Sequence, residues 1–158
     1  MSMNVRKAIP QDAKILSDLC RDVQVIHAEQ HADIFKLPQS ADFALAFFEK
    51  MLADETVHIF IAEKNGEALG YILCKLIERE ENPFTFAMRY LLVDQISVRP
   101  EARGGGVGSA LMMKADNLAD ELGISMIQLD SWAFNTDAHK FFERAGFGKF
   151  NHRFWRRK

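Results

Sequence analysis

Residues 103 to 109 read Arg103-Gly104-Gly105-Gly106-Val107-Gly108-Ser109, with four glycines in five positions. Strand-forming residues precede this run and a helical pattern follows it, so the turn opens directly into a helix. A turn of this kind aims several unpaired backbone N–H groups, and the positive end of the helix dipole, at one point. Phosphate oxygens belong there: glycine has no side chain to hold an anion off, and each charge-assisted hydrogen bond contributes about 1.5–3 kcal/mol. Glycines also make tight turns without any ligand, and a lone Gly-Gly pair would say no more than that. Two nucleotide motifs are disfavoured. No Gly-Lys-Ser/Thr follows, as a Walker loop requires, and the third glycine of the dinucleotide fingerprint would fall at Ser109 or Leu111.

The run does fit the pattern Gln/Arg-x-x-Gly-x-Gly/Ala. With Asp94-Gln95-Ile96-Ser97-Val98-Arg99-Pro100-Glu101 upstream and Asn135, Ala138, Phe141, Phe142, Gly146 and Phe147 downstream, it resembles the GNAT superfamily of N-acetyltransferases from about Leu91 to Phe147. The resemblance implies acetyl-coenzyme A (acetyl-CoA) as cosubstrate. Amides from Gly104 to Ser109 would hold its pyrophosphate, and Ile96 and Val98 would pair with the pantetheine arm and thioester. Asn135 would touch that arm from the other side, although the residue alone also reads as the N-cap of the last helix. The full cofactor-binding set so implied is Ile96, Ser97, Val98, Arg103, Gly104, Gly105, Gly106, Val107, Gly108, Ser109, Asn135, Ala138 and Phe142.

Acetyl transfer to an amine needs a free lone pair. With a lysine-like pKa near 10.4, deprotonation at pH 7 costs roughly 4.6 kcal/mol, so a base should help. Asp94 stands where the resemblance places a carboxylate base, and an exposed aspartate would need burial or a water relay to serve. A main-chain N–H near Val98 would face the developing oxyanion. At Phe142 the chain departs from the family, which carries a tyrosine hydroxyl there as general acid; phenylalanine donates nothing. Tyr71 and Tyr90 are candidate substitutes, but nothing in their spacing shows that either reaches the site. The runner-up function is a catalytically weak acyl-CoA-binding module or sensor.

Around these residues the sequence predicts one domain, residues 1–158, of α/β class with a mixed, mostly antiparallel sheet flanked by helices. A first strand covers Asn4 to Ala8, and Pro10-Gln11-Asp12 starts a helix with Ile15, Leu16, Leu19 and Val23 on one face. Val25 to Gln30 reads as a second short helix, His31 to Gln39 as a loop, and Ser40 as the cap of a helix spanning Phe43 to Leu52. Val57 to Glu63 and Glu67 to Leu76 are strands joined by Asn65-Gly66, a type I′ hairpin signal. Glu78 to Phe84 is a loop and Phe86 to Val98 a long strand. Leu111, Ala115, Leu118 and Leu122 mark a helix closed by Gly123. A strand from Ile124 to Asp130 follows, then a helix from Asn135 to Ala145 with Ala138, Phe141, Phe142 and Ala145 inward, and a final strand from Gly148 to Arg156.

The charge is −2 with basic residues scattered until the C-terminal tail, which leaves no broad footprint for nucleic acid. Cys20 and Cys74 form no CxxC pair, and His27 and His31 lack a third ligand at motif spacing, so no metal is expected. No apolar run reaches the roughly 18 residues that span a bilayer, and the N-terminus carries no signal-like h-region; a cytoplasmic protein is expected. Trp132, Phe134 and Trp155 suit core or dimer contacts, and Phe150 to Trp155 offers a homodimer surface. Glu29 and Asp33 suit a cationic acceptor, or equally a solvated face; polyamine, aminoglycoside, amino acid and peptide N-terminus all stay open.

Overall fold

A computed structural model describes residues 2–158. The elements, in chain order, are β1 (Asn4–Lys7), α1 (Ala13–Gln30), α2 (Leu45–Ala53), β2 (Val57–Lys64), β3 (Glu67–Arg79), β4 (Met88–Val98), α3 (Val107–Glu121), β5 (Ile127–Leu129) and α4 (Thr136–Arg144). The five strands form one sheet in the order β1-β2-β3-β4-β5, antiparallel except for the parallel β4–β5 pair. The parallel pair follows from connectivity, because the chain returns to β5 through α3 rather than through a hairpin. Asn65 and Gly66, both at positive φ, make the tight β2–β3 turn that their types require.

Each face of the sheet buries a separate cluster. On one side α3 packs Val107, Leu111, Ala115 and Leu118 against Ile72, Cys74, Leu91 and Val93. On the other, Leu16 and Leu19 of α1 and Phe48 of α2 cover Ile59, Ile61, Tyr71 and Leu73. Strand alternation sorts these residues: Tyr71 and Leu73 face α1, while Ile72 and Cys74 face α3.

Several expectations are corrected. Val25 to Gln30 is not a separate helix but the end of an unbroken α1, since nothing in it breaks the helical ladder. Ser40 does not cap α2, which starts at Leu45 without a side-chain cap. The buried Ser17 hydroxyl does related work from α1, accepting from the Ala44 N–H at 3.0 Å and donating to the Ala41 carbonyl at 2.7 Å. Ala145 is exposed just past the end of α4, and β3 extends to Arg79, shortening the loop after it. No strand forms between Gly148 and Arg156. The segment has strand-like residues but makes no ladder with the free edge of β5, and Trp155 packs on His31 instead.

Candidate active site

The end of β4 sets the site. β5 pairs with β4 only from Leu91 to Val93, while β3 accompanies it to Val98. From Asp94 onward the outer edge of β4 has no strand beside it, so backbone groups there are free to bond a ligand. Ile96 and Val98 side chains join the α3-side cluster. Ser97 is buried and its hydroxyl donates to the Leu19 carbonyl at 3.1 Å, so only its main-chain groups are left for a ligand. Arg99 then braces this end against α1 through Asp18 at 3.0 Å and against β3 through the Ala68 carbonyl at 2.9 Å.

Beyond Arg99 a short 3-10 turn (Pro100–Ala102) leads into the glycines. Gly104 and Gly106 have φ of +79° and +83°, a region that side-chain-bearing residues enter only with strain. Gly106 is the N-cap of α3 and offers no side chain to cap it. Ala110 is the first residue of α3 whose N–H reaches a backbone carbonyl, that of Gly106 at 3.0 Å. The N–H groups from Gly104 to Ser109 find no backbone acceptor among the described residues. Six donors at a helix N-terminus, with open space where the Cβ atoms of Gly104 and Gly106 would stand, suit a pyrophosphate. Gly108 has a different reason to be glycine: a Cβ there would lie 3.1 Å from the Phe141 ring, so it permits α3 and α4 to pack closely. Val107 is buried beneath the turn, and Arg103 bends back toward the Val98 carbonyl at 3.4 Å.

Asp94 owes its direction to an irregularity in β4. Leu73 pairs with Gln95 and Cys74 with Val93, leaving Asp94 as the extra residue of a bulge. Val93 and Ile96 therefore face α3, while Asp94 and Gln95 both face α1. Gln95 accepts from the Tyr71 hydroxyl at 2.6 Å, and Asp94 lies 3.4 Å from the Lys75 ammonium. Burial holds the Tyr71 phenol well above its usual range, so it is a neutral donor committed to Gln95. Tyr90 pairs with Ile77, eight residues before Val98. The Cys20 and Cys74 thiols are pushed by burial up to about 11 and about 12, which keeps both protonated at neutral pH.

Across the opening, the chain from β5 to α4 carries Phe134 and Trp132 against the end of α1. His27 meets Phe134 and Phe35 at 5.4 and 4.9 Å between ring centroids, and His31 meets Trp132 at 5.2 Å. Asn135 caps α4, its side-chain oxygen accepting from the Ala138 N–H at 3.4 Å, which leaves the amide nitrogen unused. Ala138 and Phe142 are half-buried on α4, and Phe142 packs beside Phe141 and Phe147. Glu29 is exposed, and Asp33 is paired with Arg157. Sequence reasoning missed the aromatic wall around His27, the Lys75 partner of Asp94 and the Arg99–Asp18 brace. Only the four-residue spacing of His27 and His31 hinted at any of them.

Comparisons with known proteins agree with this geometry. The Acetyltransferase (GNAT) family model matches residues 22–147. An uncharacterized N-acetyltransferase of Bacillus subtilis, YhfO, is 26% identical over 145 residues, covering 92% of this chain and 89% of the relative. Another uncharacterized N-acetyltransferase, from Methanocaldococcus jannaschii, is 28% identical over 106 residues, and the alignment spans 64% of this chain and only 43% of that protein. Among solved structures, the aminoglycoside N-acetyltransferase AAC(6')-Iy in complex with CoA superposes with a TM-score of 0.78 at 20% identity, covering 99% of this chain and 95% of that one. The family match runs through the open edge of β4, the glycine turn and α4 alike, and the chain belongs to the GNAT family of acetyltransferases.

Proposed function

We propose that the chain transfers the acetyl group of acetyl-CoA directly to a primary amine of a small molecule or peptide. The observation that carries this reading is the adjacency of two unsatisfied backbone arrays, the free edge of β4 from Asp94 to Val98 and the unpaired amides from Gly104 to Ser109. When bound, acetyl-CoA supplies an activated thioester. The amides of the turn, with Arg103 beside them, bind the pyrophosphate; main-chain groups of Ile96, Ser97 and Val98 and the free amide of Asn135 hold the pantetheine arm, with Ala138 and Phe142 along α4. Asp94 takes the proton of the ammonium, through water, and a main-chain N–H near Val98 steadies charge on the acetyl oxygen. Phe142 donates no proton, so that position would supply no general acid to the thiolate of CoA.

Asp94 is on the α1 side of the sheet, and the end of α1 carries the aromatic wall of His27, Phe35 and Phe134. A cytoplasmic location fits the two free cysteines, and association as a homodimer fits the aromatic stretch Phe150 to Trp155. No helix among the described residues is long and apolar enough to cross a membrane. Turnover tests the reading: thiol release from acetyl-CoA in the presence of a panel of polyamines, aminoglycosides, amino acids and short peptides should rise with at least one class. Firm acetyl-CoA binding with no turnover across all of them would replace the transferase with a binding module.

A further inference from the structure

The Gln95 side chain is held in one direction, and the proposed transfer makes no use of it. Tyr71 does the holding. It is 1% exposed, its ring lies edge-on to Phe48 at 5.7 Å between centroids, and its hydroxyl donates to Gln95 Oε1 at 2.6 Å. That separation suits O–H···O and is shorter than N–H···O bonds run, which gives the amide oxygen to Tyr71 and turns the nitrogen the other way. Gln95 Nε2 has no hydrogen-bond partner among the described residues, yet it is not sealed in, because no buried side-chain nitrogen or oxygen among them lacks one. A half-buried amide with its oxygen tied and two N–H donors open is set to bind an oxygen.

The bulge in β4 puts this donor beside Asp94. The two are successive residues that both face α1, with Cα atoms about 3.8 Å apart. An amine that gives its proton to Asp94 through water therefore brings the atoms next to its nitrogen close to Gln95. Charge and hydrogen-bond polarity then narrow the acceptor. Lys75 stands 3.4 Å from Asp94 and offsets its charge, so Asp94 leaves no surplus for a second ammonium. A further ammonium opposite Gln95 Nε2 would set donor against donor. A hydroxyl can turn its hydrogen toward the amide, whereas a carbonyl or carboxylate oxygen only accepts.

We propose that Gln95 selects the acceptor: its Nε2, aimed by the Tyr71 hydroxyl, donates to a carbonyl or carboxylate group bonded to the carbon that bears the amine. The acceptor class is then amino acids and peptide N-termini rather than polyamines. Gln95 binds the substrate, and Tyr71 is a positioning residue that acts through it. The inference rests on the acetyl-transfer reading and names the substrate class within it.

A matched pair of amines tests it: glycinamide, and isobutylamine, which has the same heavy-atom skeleton without the carbonyl. The glycinamide to isobutylamine ratio of kcat/KM is measured at saturating acetyl-CoA in wild type, Gln95→Met, Gln95→Glu and Tyr71→Phe. Comparing this ratio between proteins cancels the intrinsic difference in basicity between the amines. Gln95→Met keeps the length of the side chain and loses the donor, so the ratio should fall about fivefold or more. Gln95→Glu still accepts from Tyr71 but turns an oxygen toward the acceptor carbonyl, and the ratio should fall further. Tyr71→Phe frees the amide to rotate and should lower the ratio through KM for glycinamide. Acetyl-CoA affinity, read by calorimetry, should stay unchanged in all three, whereas misfolding would weaken the cofactor and both amines alike. Turnover of polyamines without turnover of glycinamide, or a ratio within about twofold of wild type in both Gln95 variants, would overturn the assignment and leave acetyl transfer standing. No turnover with any amine would overturn both.

Discussion

Replacing Gly70 by alanine probes the site from a residue that contacts no substrate. Gly70 pairs with Val98, at the point where β4 has lost β5 as a neighbour. A Cβ on Gly70 would lie 2.5 Å from the Ser97 carbonyl oxygen and 3.2 Å from the Val98 Cα, both of them backbone atoms. Ordinary contact begins at 3.4 Å, so the end of β4 must retreat by about 1 Å. Gly70 is not among the glycines at positive φ, so alanine adopts its backbone without strain and the close approach alone carries the effect. The retreat goes toward the unpaired edge, where Val98 is proposed to position the thioester. Overpacking of this kind costs about 1–3 kcal/mol of stability, and a misplacement of about 1 Å lowers a transfer rate by roughly 100-fold. Urea unfolding followed by tryptophan fluorescence measures the first, and thiol release at saturating acetyl-CoA, with the best amine of the panel, measures the second. A Gly70→Ala protein with the wild-type midpoint and a rate within about twofold of wild type would refute this account of the β3–β4 approach.

Asp94→Asn should lower kcat by about 10²–10⁴ while leaving acetyl-CoA affinity unchanged, as loss of a base does; unchanged kcat would remove Asp94 from the mechanism. Ser17→Ala strands the Ala44 N–H and the Ala41 carbonyl beside α2 and should cost about 1–3 kcal/mol in urea unfolding, with the loss absent if α2 is held by packing alone. Asp12 accepts two hydrogen bonds from Arg6, at 2.8 and 2.9 Å, and one from the Ile9 N–H at 2.7 Å, and the Arg6 guanidinium holds its carboxyl below the usual carboxylate value. A depressed folded-state pKa contributes stability above the unfolded value of 3.8 that is lost as pH falls through the folded one. Asp12→Asn should therefore lower stability at pH 7 by about 1.5–3 kcal/mol and flatten the acid limb of the stability profile; a parallel profile would contradict the assignment.

What was legible in the sequence is what short-range chemistry dictates. Asn65-Gly66 specifies its turn wherever it stands, Asn135 caps α4 by its own side chain, and four glycines ahead of a helix announce unpaired amides without reference to the rest of the fold. The illegible part depends on partners distant in the chain. Asp94 and Gln95 share a face only because β4 carries one residue more than β3 across the bulge, and alternation along β4 alone would put them on opposite faces. Ser17 ties down the start of α2 from 27 residues away, so Ser40 was the local choice and the wrong one. The expected final strand failed for the same reason: residues 148–156 have strand propensity, yet the packing of Trp155 on His31, distant in the chain, takes the segment elsewhere than to a strand partner. Gly70 sits inside a strand pattern with nothing in its neighbours to mark the contact it permits.

The account rests most heavily on the glycine turn as the holder of acetyl-CoA, and calorimetric titration of acetyl-CoA into wild type and Gly106→Asp tests that directly. Aspartate at this position puts bulk and negative charge beside the N-terminus of α3, where the pyrophosphate is proposed to lie. Circular dichroism first establishes that the variant is folded. Micromolar binding to wild type that disappears in the folded variant is the predicted result; no binding to wild type, or equal binding to both, would contradict the account.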